Sequence, residues 1–257
     1  MFAKFESTKI YTALFMLVVT IVVLFFHSPF LIFSVLGILF IIGFIEAYKL
    51  YVKQTAGILF ISLAVISWLS MYALESMEFI FVVLVVLASI QSYTKRGSIQ
   101  QAMPFIYPAI PFCFLYFLYI DYSIFALVWL VVIVALTDSF AYFGGRSFGG
   151  KFFANKVFCQ TSPNKTKEGV LIGVLVSTFI STIVGLGLCG FFSALFISFV
   201  VSVASVFGDL YESYLKRRAD VKDSGSLFPG HGGVLDRLDG YFFGGIILYF
   251  LLNVLKG

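Results

Sequence analysis

Nine stretches of this 257-residue chain are apolar over lengths suited to a lipid bilayer: near residues 10–26, 29–47, 56–74, 79–93, 103–120, 123–143, 169–190, 192–213 and 241–255. A hydrocarbon core takes about 20 helical residues to cross, and inside it every backbone N–H and C=O must be satisfied within the protein. The runs therefore predict an all-α, polytopic integral membrane protein with about nine transmembrane helices. Pro104, Pro108 and Pro111 fall in the fifth run and predict a broken or kinked entry there. With 61% hydrophobic and 12% charged residues, little chain is left for a separate soluble domain.

The cations test this division independently. Segments 1–9, 48–55, 94–102, 144–168 and 214–240 lie on one side of a nine-span chain and hold 16 of its 17 Lys and Arg residues, Lys256 being the exception. Cytoplasmic loops carry such an excess, so the N-terminus is expected in the cytoplasm and the C-terminus outside. The formal charge of +4 then reflects topology and anionic head groups, and gives no reason to expect a nucleic-acid partner.

Lys4 and Lys9 precede an apolar run without a small-residue cleavage site, which predicts a retained first helix in place of a signal peptide. No organelle-type extension is read, and a bacterial inner (plasma) membrane is the expected location. Cys113, Cys159 and Cys189 are odd in number and scattered, which supports neither a disulfide framework nor a cysteine metal site.

Polar chemistry collects in loops 144–168 and 214–240, both on the cytoplasmic side of this topology. Gly145 to Lys151 spells G-x-x-x-x-G-K, but Phe152 stands where a P-loop needs Ser or Thr, and a hydrophobic helix precedes it in place of a strand. A P-loop fold is excluded. Arg146 and Lys151 remain candidates for phosphate, with contact to anionic lipids as the alternative. In "SPNKTKEG", Ser162, Asn164, Lys165 and Thr166 precede the seventh span, where hydroxyls, an amide and an ammonium suit phosphate oxygens. An ordinary helix cap by Thr166 or Ser162 is the alternative.

Along the eighth span, Ser198, Ser202, Ser205, Asp209, Glu212 and Lys216 recur in steps of four and three, on one helix face that grows more polar toward the cytoplasm. Carboxylates at a membrane edge are expensive and point to function. Asp138 lies near the cytoplasmic end of the sixth span, among Thr137, Ser139 and Tyr142, and is a candidate for the same pocket, with a structural hydrogen bond to a neighbouring helix as the alternative. Six of the 13 acidic residues, Asp209, Glu212, Asp220, Asp223, Asp236 and Asp239, fall within 31 positions, interleaved with Lys216, Arg217, Arg218, Lys222 and Arg237. Hard carboxylate oxygens beside cations describe a site for Mg2+ (or another divalent cation) and nucleotide phosphates. Gly225, Gly230, Gly232 and Gly233 allow close backbone approach to those phosphates.

The 27 positions from Ser213-Tyr-Leu-Lys-Arg through Lys222-Asp223-Ser-Gly and Pro229-Gly-His-Gly-Gly to Asp236-Arg-Leu-Asp239 resemble the signature of the phosphatidate cytidylyltransferase (CDP-diacylglycerol synthase) family. "GDLYES" and "SPNKTKEG" are similar to it too, so the likeness covers roughly residues 137–240. Lys167, Asp220 and Gly240 depart from the family's usual residues. The resemblance implies metal-assisted transfer of a cytidylyl group from CTP to phosphatidate. It further implies Asp209, Asp236, Asp239 and Asp223 as metal ligands, and Lys165, Lys222 and Arg237 as phosphate holders. Ser162, Ser205, Glu212, Ser213, Lys216, Arg217, Gly232 and Gly233 are the remaining substrate-binding candidates. His231 is expected to contact phosphate or position the loop. The partners implied are CTP, phosphatidate, membrane lipids and, as a candidate, a second copy in a homodimer. The chain is expected to divide into about five N-terminal transmembrane helices over 1–122, matched by hydropathy alone, and a catalytic transmembrane region over 123–257 with the two cytoplasmic loops. Two rivals stand beside it: a CTP-dependent lipid-alcohol kinase, which transfers the γ-phosphoryl group, and a small secondary transporter, whose coupling residues belong near the midplane.

Overall fold

A computed structural model describes residues 2–256; the side chains of Lys4, Lys9 and Lys256, counted above toward topology, lie outside what it describes. Among the described residues the fold is all-helical, without a strand: α1 (Phe2–Phe26), α2 (Pro29–Val52), α3 (Ile58–Leu74), α4 (Glu78–Thr94), α5 (Met103–Ile106), α6 (Ala109–Tyr122), α7 (Ile124–Phe148), α8 (Lys167–Gly185), α9 (Phe191–Arg218) and α10 (Leu235–Lys256). Six segments are long and apolar enough to cross a membrane: Pro29–Val52, Ile99–Tyr122, Ile124–Phe148, Lys167–Gly185, Phe191–Arg218 and Leu235–Leu255. Three shorter apolar helices, Leu14–Phe26, Ile58–Leu74 and Glu78–Thr94, accompany them. The proline-rich fifth run does break, with α5 ending at Ile106 and α6 starting at Ala109.

Both polar loops are shorter than the hydropathy predicts. Helix α7 carries Gly144–Phe148, α9 continues to Arg218, and α10 begins at Leu235, so the irregular segments are 149–166 and 219–234. An apolar run ends at its first cations, whereas a helix continues past the hydrocarbon edge. The cations that stop the run, Arg146 in α7 and Lys216, Arg217 and Arg218 in α9, sit in last turns, where positive charge complements the helix dipole.

The chain forms two compact units, residues 1–116 with 215–237 and residues 117–214 with 238–257. The first packs α2 against α3 and α5, with an aromatic core in which Phe40 meets Phe44, Trp68 and Phe112. In the second, α7 and α8 share a seam of small residues: a Cβ added at Gly173 would stand 2.6 Å from the Thr137 carbonyl oxygen, and one at Gly144 2.9 Å from Ile172. Glycine lets these backbones approach as closely as packing within a bilayer favours. Beside the seam, Trp129 donates its indole N–H to Ser198 at 3.2 Å, and the Thr137 and Ser202 hydroxyls pair at 2.7 Å.

Candidate active site

In the second unit a cavity of about 510 Å³ opens between the end of α7, the 149–166 segment, the start of α8 and α9. Asp138, Tyr142 and Arg146 are spaced four apart on α7 and all line it. Opposite them the chain folds into a short hairpin: Phe158 donates its N–H to the Lys165 carbonyl at 2.8 Å, and Lys167 donates to the Lys156 carbonyl at 3.0 Å. The hairpin turn carries half-buried Ser162, and its return leg delivers Asn164, Lys165 and Thr166 to the cavity wall. The Thr166 hydroxyl accepts the Gly169 N–H at 3.0 Å and so caps α8. Thr166 is therefore both wall and cap, and the two readings of its role are compatible.

From α9, Asp209 accepts a charge-assisted bond from Lys165 Nζ and a long one, 3.4 Å, from the Ser213 hydroxyl. The Lys165 and Asp209 side chains are 25% and 29% exposed, enough for a ligand in the cavity to reach both. Half-buried Asp239, on α10, interacts electrostatically with Asp209 and Asp138 and hydrogen-bonds with Glu212. The face of α9 divides accordingly. Ser198, Ser202 and Ser205 are buried and bonded within the protein, Ser205 to the Ser202 carbonyl at 2.8 Å, whereas Asp209 opens on the cavity.

Asp138, Asp209 and Asp239 bring like charges into one neighbourhood, the environment that a bound cation relieves. Among the described residues no three carboxylates, imidazoles or thiolates are grouped closely enough to hold a metal ion by themselves. Mg2+ seldom has such a cage. It takes one or two carboxylates and completes its shell with water and substrate phosphates, which this oxygen donor set fits.

Sequence reasoning missed Glu168. Its side chain is buried, and Oε1 accepts three backbone N–H groups: Gly150 at 2.9 Å, Phe152 at 3.2 Å and Phe153 at 3.1 Å. These amides belong to the P-loop-like stretch and its continuation. Lys151 points elsewhere, its ammonium 5.4 Å from the centre of the Phe148 ring. The usable signal was an acid in a first helical turn within a polar motif, but its partners are main-chain groups that no motif displays.

In the first unit, the 219–234 segment closes on Asp236. Oδ1 accepts from Lys216 Nζ at 2.6 Å; Oδ2 accepts the Ser224 N–H at 2.8 Å, the Ser224 hydroxyl at 2.9 Å and the Gly233 N–H at 2.8 Å. The Asp236 and Lys216 side chains are 4% and 15% exposed, so this ion pair is buried, although a polar, glycine-rich loop reads as hydrated. Gly232 has φ +84°, and a Cβ there would collide with the Asp236 carboxylate, so glycine is required on both counts. His231 donates its N–H to the Phe228 carbonyl at 2.8 Å, while its ring Nδ1 is buried without a hydrogen-bond partner among the described residues. Arg217, Lys222, Asp223 and Arg237 are exposed.

The family model described as "Cytidylyltransferase family" matches residues 7–255. A phosphatidate cytidylyltransferase of Helicobacter pylori is 40% identical over 254 residues, which are 98% of this chain and 93% of its own length. One from Bacillus subtilis is 42% identical over 147 residues, 54% of this chain and 53% of its own. A chloroplastic phosphatidate cytidylyltransferase of Arabidopsis thaliana is 43% identical over 127 residues, 48% of this chain and 31% of its own.

Proposed function

Because the chain belongs to the cytidylyltransferase family, we propose that it transfers the cytidylyl group of CTP to phosphatidate, yielding CDP-diacylglycerol and pyrophosphate. The observation that carries this reading is the near full-length identity to a phosphatidate cytidylyltransferase. The Lys165–Asp209 cavity supports it. A phosphate monoester with a second pKa of about 6 is mostly dianionic at neutral pH and needs no general base. One of its oxygens forms a bond to the α-phosphorus of CTP as the α–β bridging bond breaks, and pyrophosphate leaves with that electron pair.

The protein's task is to let two anions meet in line. In this reading Lys165 and Arg146 neutralise phosphate charge at the cavity wall, while Asn164 and Thr166 orient phosphate oxygens. Asp209 and Asp239 are the proposed holders of a divalent cation, with Asp236 and Asp223 added by the family likeness. When bound, that cation supplies Lewis-acid neutralisation of the phosphates. Lys222, Arg237 and His231 remain proposed contacts to substrate phosphate.

Purified protein in detergent, given phosphatidate together with a lipid alcohol, Mg2+ and CTP labelled in the cytosine ring or in the γ-phosphate, should yield a lipid carrying the ring label only. A lipid carrying only the γ-label would replace this reading with that of a lipid-alcohol kinase.

We further propose nine spans, N-terminus in the cytoplasm and C-terminus outside, in a bacterial inner membrane, with a homodimer as the assembly. Six long and three shorter apolar helices support the count, and the Lys and Arg distribution supports the direction. Half-buried Cys159 lies in the 149–166 segment. A membrane-impermeant thiol reagent should label it in inverted vesicles and leave it unlabelled in sealed cells; the opposite pattern would reverse the topology.

A further inference from the structure

Helix α2 carries one acidic residue, Glu46, inside an apolar segment long enough to span the membrane. It is 8% exposed. An intramembrane carboxylate is costly unless its oxygens are satisfied, and a chain retains one where it has a task. The partners of Glu46 lie 178 to 189 positions further along the chain. Oε1 accepts the Val234 N–H at 3.1 Å; Oε2 accepts the Leu235 N–H at 3.0 Å and lies 2.9 Å from the Ser224 hydroxyl, whose single proton it shares with Asp236 Oδ2.

Two features make this more than a helix cap. Val234 and Leu235 stand where α10 begins, so a carboxylate from another helix fills the place of an N-terminal cap and suits the dipole of α10. The Ser224 hydroxyl lies 2.9 Å from Glu46 and 2.9 Å from Asp236, which ties the buried acid of α2 to the Asp236–Lys216 pair of the family-like signature. The surrounding shape is matched to it. A Cβ at either Gly225 or Gly233 would run into the Glu46 carboxylate, so both glycines of the signature form its cradle.

Resting on the cytidylyltransferase reading above, we propose that Glu46 is a positioning residue for the reaction, which fixes the 219–234 segment so that Ser224 and Asp236 hold their geometry. Glu46→Gln preserves shape, but whichever way its amide turns, its NH2 meets the Val234 or the Leu235 N–H at the start of α10. A group that orients another functional group typically contributes about 10- to 100-fold, so kcat should fall by that much while KM for phosphatidate stays within about twofold. If Glu46 acts through Ser224, Glu46→Gln with Ser224→Ala should be scarcely slower than Glu46→Gln alone. Hydrogen exchange of the Val234 and Leu235 amides should accelerate in Glu46→Gln.

The control is Asp220→Asn, at an exposed residue paired with Lys53 in the same segment, which should keep its kcat within about twofold. A normal kcat in folded Glu46→Gln, multiplied losses in the double variant, unchanged exchange, or an equal loss in Asp220→Asn would each overturn the proposal. Should Glu46→Gln fail to accumulate, Ser224→Ala decides: a lowered kcat at unchanged Tm supports the link, and a normal kcat removes it. A wild-type protein that makes no cytidine-bearing lipid would refute the functional reading instead. The exchange measurement still reads the contact of Glu46 with α10 in that case.

Discussion

Asp236→Asn is expected to abolish turnover and to lower stability as well. A carboxamide can accept at one oxygen only, whereas Asp236 receives donors at both: Lys216 at Oδ1, and Ser224 and Gly233 at Oδ2. Whichever way the amide turns, its NH2 meets a donor, and the ammonium of Lys216 loses its buried counter-charge. Breaking a buried pair costs about 3 kcal/mol, which in a chain of this size is roughly 6–12 °C in Tm. Cytidylyl transfer should fall by at least about 100-fold, the loss typical when a preorganised charge beside a reacting phosphate is removed. Steady-state kinetics and a thermal melt of the same preparation check both halves. Near-normal turnover would remove Asp236 from the metal-binding site, and an unchanged Tm would show that the buried cage is not structural.

Lys165→Met should behave differently. Lys165 sits at a cavity wall with a quarter of its side chain exposed, so its loss leaves no deeply buried group unpaired. It does leave Asp209 without its cation, in a cavity it shares with Asp138 and that is proposed to receive a triphosphate. We expect kcat/KM for CTP to drop about 100-fold, equivalent to about 2.7 kcal/mol of transition-state stabilisation, with Tm within about 2 °C of wild type. Lys165→Arg should recover part of the loss, because the charge returns with a different reach. Activity within about threefold of wild type in Lys165→Met would remove Lys165 from the site.

What the sequence made legible follows from which interactions leave a one-dimensional trace. Apolar runs mark spans because lipid imposes a length and a composition, and the helices lie where those runs lie. Their ends do not coincide with the runs, because α7 and α9 carry cations through a last turn that hydropathy assigns to loop. Asp209 and Asp138 stand out in the sequence as carboxylates near the ends of apolar runs and Lys165 as part of a polar motif, and all three line one cavity. Ser205 was not. A serine on that same face reads identically whether it lines a cavity or bonds a carbonyl one turn away, and here it bonds Ser202.

Glu46 and Glu168 escaped for a shared reason: their partners are mostly main-chain N–H groups, which every residue but proline carries and no pattern displays. A lone acid inside an apolar run was the available signal for Glu46. Asp236 was recognised by its motif, but its burial was not, because the glycines around it read as solvent-facing flexibility and instead make room for two carboxylates.

The turn over Gly150, Phe152 and Phe153 is wired like a receptor for an inorganic anion, with three amides aimed at one oxygen, yet the anion is a permanent part of the chain. Tethering gives that carboxylate an effective concentration at least in the millimolar range, so free phosphate or nucleotide in the surrounding solution competes poorly for the same amides. A P-loop empties and refills with every turnover. Glu168 makes the corresponding occupancy constant, so this turn keeps its shape without a bound phosphate.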